Sequence, residues 1–343
     1  MSSPAFLEYV NARSYGMKMP RLGTEDARMA LLPLPPLEEQ ARIVARVDEL
    51  MQLCDALEAK GRLEAQQHAR LLETLLGMLT DSTTPEELAA NWQRVAENFD
   101  LLLDRPEAVD VLEQTVLQLA VRGLLVRNVS SKLDKEVTGP LQLKDVSDEE
   151  RPFDLPLTWR WRRFSEVLDF QGGSQPPKSR FSDTPREGYV RLVQIRDLGD
   201  KPQPVFVAKG EVSKFCSTND VMVGRYGASV GKVFWGIDGA YNVALVKLID
   251  LRGDFDRKFL HLLLSSPLGQ SWFRGISRSA QDGFNKADIG PNWTPIPPLA
   301  EQGEIVARVT ELRRLCADLR QRLASSQATQ SRLAEALVEA ATA

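Results

Sequence analysis

The sequence Pro33-Leu34-Pro35-Pro36-Leu37-Glu38-Glu39-Gln40 occurs twice in this chain of 343 residues, the second time 262 positions later as Pro295-Ile296-Pro297-Pro298-Leu299-Ala300-Glu301-Gln302. The match continues in register, since Ile43-Val44-Ala45-Arg46-Val47 is repeated unchanged as Ile305-Val306-Ala307-Arg308-Val309. Agreement of this length at one fixed separation indicates an internal repeat. We therefore expect the two segments to be copies of one structural element.

Each copy has the pattern of a long helix that begins directly after a proline pair. Pro35 and Pro36 keep the preceding chain extended and exclude a helix before them. Apolar residues then follow at intervals of four and three residues, the spacing of a coiled-coil interface. We predict a first helix of about 65 Å, at 1.5 Å per residue, over residues 37–79. We expect it to pair with the helix of residues 297–343 as an antiparallel coiled coil.

The predicted interface residues occupy equivalent positions in the two copies. They are Ile43, Val47, Leu50, Cys54 and Leu57 in the first copy and Ile305, Val309, Leu312, Cys316 and Leu319 in the second. Because Cys54 and Cys316 lie on this apolar stripe, we interpret both as buried small residues without thiol chemistry.

Charge is distributed unevenly along the chain. The formal net charge is −4. Residues 151–294 hold 21 Lys and Arg against 15 Asp and Glu, a balance of +6, which leaves −10 for the rest of the chain. A basic segment between acidic ones is compatible with chance surface variation or with a polyanionic partner.

Composition excludes several classes of protein. No apolar run reaches the 18 residues of a membrane span, and the N-terminus has no signal-peptide pattern. The 3 cysteines favour a reducing compartment over a disulfide framework, so we expect a cytoplasmic protein. The 2 histidines and the absence of a close cysteine pair exclude the common zinc spacings, so we expect no metal.

The pattern of elements predicts an α/β fold in which a globular mixed domain is joined to long antiparallel coiled-coil helices. Helical signals continue after residue 81, with starts at Ser82-Thr83-Thr84-Pro85 and Pro106 and an end at Gly123. Short β-rich runs follow at 189–195, 205–207, 230–234 and 244–249, with a helix near 257–264. The predicted regions are 1–34, the tail of another globular domain; 35–127, helical; 128–153, a linker; 154–296, the α/β domain; and 297–343, the C-terminal helix.

The catalytic motifs that we considered do not fit. Gly227-Ala228-Ser229-Val230-Gly231-Lys232 has three residues between its glycines, where a phosphate-binding loop has four, and Val233 stands where that loop has Ser or Thr. A tight turn is the better interpretation. The sequence has no Asn-Pro-Pro-aromatic motif of amino-methyltransferases. His68 lies on the first long helix, where an interfacial or solvated role is expected, and no triad is evident.

A nucleic-acid-binding interpretation fits better. Within the basic segment, planar polar and basic residues accompany glycine-rich turns, a combination that suits base reading and phosphate contact. The candidate DNA-binding residues are Gln175, Lys178, Arg191, Gln194, Arg196, Arg225, Tyr226, Ser229, Lys232, Asn242, Arg278, Gln281, Asn285 and Lys286.

Several stretches together resemble the DNA-specificity subunit of type I restriction–modification enzymes. The two proline-rich helix starts bracket one globular domain, as in that family. Leu117-Gln118-Leu119-Ala120-Val121-Arg122-Gly123-Leu124-Leu125-Val126 is similar to the segment before a target recognition domain. Leu155-Pro156-Leu157-Thr158-Trp159-Arg160-Trp161 resembles the entry into that domain, and Gln281-Asp282-Gly283-Phe284-Asn285-Lys286 resembles its exit loop.

The resemblance implies a function without catalysis by this chain. In that family each recognition domain reads one half of a split DNA site, and the helices act as a spacer that docks methyltransferase subunits. S-adenosylmethionine is then expected on the methyltransferase and no cofactor on this chain, and a nuclease–translocase subunit joins the complex. Family members usually carry two recognition domains, whereas this chain has one and the tail of another, so it resembles a half-length form.

A half-length form suggests self-association. Two copies related by a two-fold axis would restore two readers and would imply a palindromic split target. The main alternative is a truncated scaffold that binds methyltransferase subunits without competent DNA readout. An independent DNA-binding regulator and an enzyme are further alternatives.

Overall fold

The structure is a computed structural model that describes residues 4–14, 21–31, 34–126, 151–199, 201–274 and 283–342. The helices, in chain order, are α1 (Pro4–Arg13), α2 (Thr24–Arg28), α3 (Leu37–Asp81), α4 (Pro85–Glu97), α5 (Phe99–Leu102), α6 (Pro106–Val121), α7 (Phe164–Val167), α8 (Arg257–Ser265), α9 (Pro267–Ser271), α10 (Lys286–Ile289) and α11 (Leu299–Thr342). None of these helices combines the length and the apolar character needed to cross a membrane.

The described strands all lie between residues 160 and 296. They are β1 (Arg160–Arg163), β2 (Leu168–Gly172), β3 (Tyr189–Val193), β4 (Phe206–Ala208), β5 (Phe215–Cys216), β6 (Val221–Gly224), β7 (Val233–Trp235), β8 (Gly239–Tyr241), β9 (Leu245–Asp250) and β10 (Trp293–Ile296). They form a pair β1-β10, a sheet in the order β2-β9-β6-β7 and a sheet in the order β4-β3-β8-β5. Every pairing is antiparallel except β3 with β8. The mixed α/β fold with two long helices is therefore confirmed.

The described chain divides into two compact units, residues 1–67 and 68–343. In the first unit, α1 and α2 are joined by a hydrogen bond from the Tyr9 hydroxyl to the carbonyl oxygen of Asp26 (2.7 Å), and the Arg13 guanidinium lies over the Tyr9 ring. The first 31 residues of α3 complete this unit. The Gln40 side chain bonds back to the Pro35 carbonyl oxygen (2.8 Å) and so closes the first turn of the helix.

The helical part of the second unit has a core of its own. Leu72, Leu76 and Leu79 of α3 pack with residues of α4, α5 and α6, and Leu319 of α11 packs against the same cluster. Val95 of α4 and Leu102 of α5 are buried, whereas Trp92 and Phe99 of the same two helices are exposed. His68 contacts the Leu101 carbonyl oxygen (3.1 Å) and the Asp104 carboxylate (3.2 Å), as an interfacial residue would.

The α/β domain rests on the helices through one apolar core. The main cluster joins buried residues of β2, β6, β9 and α8 to Val116, Leu117, Ala120 and Val121 of α6 and to Ile305 and Val309 of α11. Aromatic rings at its centre pack at centroid distances of 5.0–5.8 Å, among them Phe164, Phe170, Trp272, Phe273 and Phe284. Burial of this apolar surface holds the domain and the helices together.

The two copies of the repeat differ in burial. Ile305 and Val309 are 1% and 2% exposed, while the equivalent Ile43 and Val47 are 48% and 43% exposed. Cys316 is buried, but Cys54 is exposed, so the prediction of burial is wrong for Cys54. The apolar face of a helix is buried only where another element packs against it. In the second unit α6 and α8 cover the stripe of α11. Pairing of residues 297–343 with 37–79 stays a prediction.

Polar contacts repeat along with the sequence. The Gln302 amide donates to the Pro297 carbonyl oxygen (2.9 Å), as Gln40 does to Pro35 in the first copy. The ion pair between Arg308 and Glu311 (2.6 Å) has its equivalent between Arg46 and Glu49 (2.6 Å). The two segments therefore form the same local structure, as predicted from the repeat.

Candidate nucleic-acid interface

Three strands of one sheet have one of their ends at the same place. The end of β2 pairs with the start of β9 through Gly172 and Val246, and the end of β6 pairs with it through Gly224 and Leu245. The loops that follow β2 and β6, and the loop that precedes β9, therefore emerge side by side. Antiparallel pairing places them there, because the end of one strand lies beside the start of its neighbour.

The second sheet ends at the same place. The parallel strands β3 and β8 stop at Val193 and Tyr241, and the Asn242 amide donates to the Val193 carbonyl oxygen (3.0 Å). The Ser174 amide, just beyond β2, donates to the Tyr241 carbonyl oxygen (2.9 Å) and ties the two sheets together. We call residues 171–175, 194–196, 225–232, 241–244 and 283–286 the loop edge.

Gly173 allows this meeting of the two sheets. A Cβ atom at this position would lie 2.2 Å from the Asn242 carbonyl oxygen and 2.4 Å from that of Tyr241. The Tyr241 hydroxyl donates to the carbonyl oxygen and to the side-chain oxygen Oε1 of Gln171, both at 3.1 Å. Burial raises the pKa of Tyr241, so the hydroxyl stays protonated as a donor. Close backbone approach and this buried hydroxyl fix the loop after β2.

Arg225 and Tyr226 lie at the centre of the loop edge. Arg225 Nε donates to the Phe284 carbonyl oxygen (3.2 Å), and its guanidinium carbon lies 5.2 Å from the centre of the Tyr226 ring. Tyr226 forms an isolated β-bridge with Gly283. Within the described residues, no acceptor is bonded to the two terminal nitrogens of Arg225. The side chain is thus held at Nε and retains the two donors that a base edge requires.

Residues 227–232 form the tight turn expected from the sequence. A short 3-10 helix covers Gly227–Ser229, and Gly227 and Gly231 have φ angles of 57° and 78°, a region that favours glycine. The Ser229 hydroxyl donates to the Tyr226 carbonyl oxygen (2.6 Å), so Ser229 supports the turn from within. Lys232 is exposed at its end.

The loop after β3 has a capped 3-10 turn. Gln194 and Asp197 form a capping box at the start of Ile195–Leu198, and Arg191 pairs with the Asp197 carboxylate at 3.1 Å. Nε2 of Gln194 and Nε of Arg191 are both buried and find no hydrogen-bond partner among the described residues. Arg196 is exposed on the turn. Arg191 and Gln194 therefore hold the loop, while Arg196 faces solvent.

The remaining candidates lie around this centre. Gln175 and Lys178 are exposed beyond β2, and Gln175 lines an open depression with Pro176, Pro177, Arg180 and Glu211. Asn242 accepts from the Ala244 amide (3.2 Å), and Asn285 caps α10 by accepting from two backbone amides. Lys286 pairs with Asp169 of β2 (2.6 Å). Arg278 and Gln281 lie outside the described residues.

Sequence reasoning missed the acidic partners of these cations. Asp197 stands three residues after Gln194, the spacing of a capping box, and that signal was available in the sequence. Asp169 lies on a different strand from Lys286, and nothing local links the two residues. Among the described residues, no group of three or more histidine, cysteine or acidic side chains could hold a metal ion.

Comparison with known proteins gives consistent matches. Residues 156–326 match the family model described as the type I restriction modification DNA specificity domain. The chain is 32% identical to the type I restriction enzyme EcoEI specificity subunit of Escherichia coli, across 90% of this chain and 58% of that protein. It is 30% identical to the EcoAI specificity subunit of Escherichia coli, across 99% of this chain and 63% of that protein. The chain thus spans about three fifths of the length of these relatives.

A solved structure shares the fold. It is described as the structural basis underlying complex assembly and conformational transition of the type I R-M system. The match has a TM-score of 0.55 and 23% sequence identity, and it covers 98% of this chain and 67% of that one.

Proposed function

Through residues 156–326 the chain belongs to the family of type I restriction modification DNA specificity domains, and from this premise we propose that it reads the target sequence of a type I restriction–modification complex. The observation that supports this most directly is the loop edge, where the ends of four strands place Arg225, Tyr226, Gln194, Arg196 and Asn242 together. On this proposal catalysis lies with partner subunits and not with this chain, since the relatives are named as specificity subunits.

The proposed readout uses two kinds of contact. Arginine recognises guanine through two parallel hydrogen bonds in the major groove, and asparagine or glutamine recognises adenine in the same way. Arg225 is the leading base reader, since its Nε is anchored on Phe284 and its terminal nitrogens are available. Exposed lysines such as Lys178 and Lys232 would contact phosphates and set the register on the duplex.

The assembly that we propose has a two-fold axis. The internal repeat supplies two helix starts, and the described residues contain one α/β domain between them. Two copies of the chain would then present two loop edges to one split, palindromic target. Methyltransferase subunits would dock on the long helices and carry S-adenosylmethionine, with a nuclease–translocase subunit joining the complex. No cofactor is proposed for this chain itself.

Methylome sequencing tests the proposal directly. Cells that express this chain with its methyltransferase partner should show methylation at one split motif whose two halves are inverted copies. Light scattering of the complex on DNA should show two copies of this chain. An asymmetric motif, or one copy in the complex, would contradict the two-fold assembly.

Gel-shift assays separate this proposal from a scaffold without readout. With methyltransferase subunits present, the chain should bind a duplex with the motif more tightly than a scrambled duplex of equal length. Equal binding to both duplexes, while the methyltransferase subunits still associate, would favour the scaffold. Tight specific binding without any partner would instead favour an independent DNA-binding regulator.

A further inference from the structure

Glu301 and Gln302, at the start of α11, make an unusual set of polar contacts with the α/β domain. Gln302 is fully buried, at 0% exposure. Its Nε2 donates to the carbonyl oxygens of Asp254 (2.7 Å) and Pro297 (2.9 Å), and its Oε1 accepts from the Asp256 amide (2.7 Å). The carboxylate of Glu301 accepts from the Thr158 hydroxyl (2.9 Å) and from Trp159 Nε1 (2.7 Å).

These contacts join the helix to two separate parts of the domain. Thr158 and Trp159 immediately precede β1, whereas Asp254 and Asp256 lie in the loop between β9 and α8. Arg160 closes the ring, because it pairs with the Asp254 carboxylate at 2.8 Å. We call Glu301 and Gln302, with their contacts to residues 158–160 and 254–256, the clasp.

The loop that meets Gln302 is held by hydrogen bonds of its own. The Asp250 carboxylate accepts hydrogen bonds from the backbone amides of Arg252, Gly253, Asp254 and Phe255, at 2.9–3.3 Å. Asp256 caps α8 by accepting from two backbone amides. Asp250 is the last residue of β9, and β9 begins at Leu245, directly after residues 241–244 of the loop edge. One strand of six residues therefore connects the loop edge to the clasp.

The apolar core beneath the clasp holds α6, α8 and α11 together. The transfer of apolar surface from water is non-directional, so the buried hydrogen bonds of Gln302 add a directional constraint to that packing. A buried amide whose donor and acceptor are both bonded allows one geometry. Small angles matter here, since α11 has 44 residues and is about 66 Å long. A tilt of about 3° at its start moves its far end by about 3.4 Å, the rise of one base pair.

We infer that Gln302 is a positioning residue, which sets the angle between the loop edge and the helical spacer and thereby the distance between half-sites that the protein accepts. Glu301 supports the same geometry through Thr158 and Trp159. The half-site distance rests on the proposed function, whereas the angle is a property of the chain alone.

A distance measurement tests the angle without DNA. Spin labels at Lys209→Cys in the domain and Ser326→Cys on α11, in a Cys54→Ser background, report the distribution of distances between the two. Gln302→Met has a similar shape and lacks the hydrogen bonds, so it should broaden this distribution while the thermal unfolding transition stays cooperative. Gln40→Met is the matched control, because within the described residues the Gln40 side chain bonds only to the Pro35 carbonyl oxygen. An unchanged distribution in Gln302→Met would overturn the inference.

Binding to spaced targets tests the consequence. Complexes with methyltransferase subunits are measured on duplexes that carry the native half-sites with the spacer lengthened or shortened by one and two base pairs. The native chain and Gln40→Met should prefer one spacing by about tenfold or more. Gln302→Met should lose most of this preference and keep its preference for the half-site sequence. A spacing preference equal to that of the native chain would overturn the role of the clasp.

The two measurements separate the possible failures. A native chain that binds all duplexes alike contradicts the proposed function, and the distance distribution still decides whether Gln302 sets the angle. A native chain with a spacing preference that Gln302→Met retains supports the proposed function and rejects the clasp.

Discussion

Arg225 belongs to the loop edge and Arg191 lies in β3 just before it, and the structure gives the two arginines different tasks. Arg225 is anchored at Nε on the Phe284 carbonyl oxygen and keeps its terminal nitrogens available. Arg191 pairs with the buried carboxylate of Asp197, and Asp197 in turn caps the loop after β3. Truncation of the first should affect DNA reading, and truncation of the second should affect folding.

We expect Arg225→Ala to weaken binding to the matched duplex by about 1–3 kcal/mol, because one bidentate base contact is lost. Binding to a scrambled duplex should change little. Fluorescence anisotropy on both duplexes, with the methyltransferase subunits present, measures the difference. An equal loss on both duplexes would identify Arg225 as a phosphate contact. Arg191→Ala is the contrasting variant, since it leaves Asp197 unpaired and should lower the melting temperature.

His261 makes stability depend on pH. It stacks on Trp235 with ring centres 4.6 Å apart, and burial together with the nearby positive charge of Arg313 lowers its pKa to about 4. In the unfolded chain this imidazole has a pKa of about 6.5, so it takes up a proton at pH values at which it stays neutral in the folded chain. The contribution of neutral His261 to the free energy of unfolding is complete above about pH 6.5 and is lost as the pH falls towards 4.

Urea unfolding at pH 7, 5.5 and 4.5 checks this pH dependence. His261→Phe keeps a ring against Trp235 and cannot titrate, so its stability should fall less between pH 7 and 4.5 than that of the native chain. Parallel losses in the two proteins would show that His261 does not titrate in this range.

At the scale of single elements, the repeat offers a matched pair of core substitutions. Ile305 is 1% exposed against α6 and the domain, and Ile43 is 48% exposed at the equivalent position of α3. We expect Ile305→Ala to destabilise the second unit by about 2–5 kcal/mol, because it leaves a cavity. Ile43→Ala should cost less than about 1 kcal/mol in the isolated chain.

Denaturant titrations of both variants decide between these values. If a second copy or a partner covers the first stripe in the assembled complex, Ile43→Ala should instead weaken association, which sedimentation would detect. Equal destabilisation of the isolated chain by both substitutions would contradict the difference in burial.

The elements with strong local signals were predictable. The proline pair and the apolar spacing predict a first long helix at 37–79, and α3 covers Leu37–Asp81. The run at 244–249 corresponds to β9, Leu245–Asp250, and that at 189–195 to β3, Tyr189–Val193. Strand β10 was missed because it contains Pro295, which lacks the amide donor of a central strand. Its position in a two-stranded pair makes the missing donor tolerable.

Candidate site residues were harder to predict than elements, since the same polar side chain serves a cap or a ligand equally well. The sequence predicts Asn285 as a DNA contact, and the structure shows its side chain capping α10. Lys286 meets Asp169 only because β2 lies beside α10 in the fold, a relation between residues 117 positions apart. Composition identifies the basic loops, but pairing across the sheets decides which side chains remain available. Their contacts with DNA stay predictions.

At the scale of the molecule, the segregation of charge predicts how binding depends on salt. The logarithm of the affinity for DNA falls linearly with the logarithm of the salt concentration, and the slope is proportional to the number of phosphates contacted. We expect Lys178→Ala and Lys232→Ala each to reduce the slope of log K against log salt by about one. Both lysines are exposed on the loop edge or just beyond it.

Lys286→Ala serves as the comparison, because Lys286 already pairs with Asp169 at 2.6 Å. Its effect on the slope should be smaller than that of the other two lysines. Anisotropy titrations between about 50 and 200 mM salt cover the range in which such differences are large. Identical slopes in all three variants would place the phosphate contacts elsewhere on the domain.

The repeated helix start also has a consequence for the inheritance of this chain. Pro36-Leu37 and Pro298-Leu299 begin helices with the same first-turn hydrogen bond, from Gln40 to Pro35 and from Gln302 to Pro297. A genetic crossover between the two copies would therefore preserve the reading frame and the helix start on both sides of the junction. On the proposed function, replacing the segment between them with a diverged one that keeps its contacts to Glu301 and Gln302 would bring a new specificity in a single recombination event.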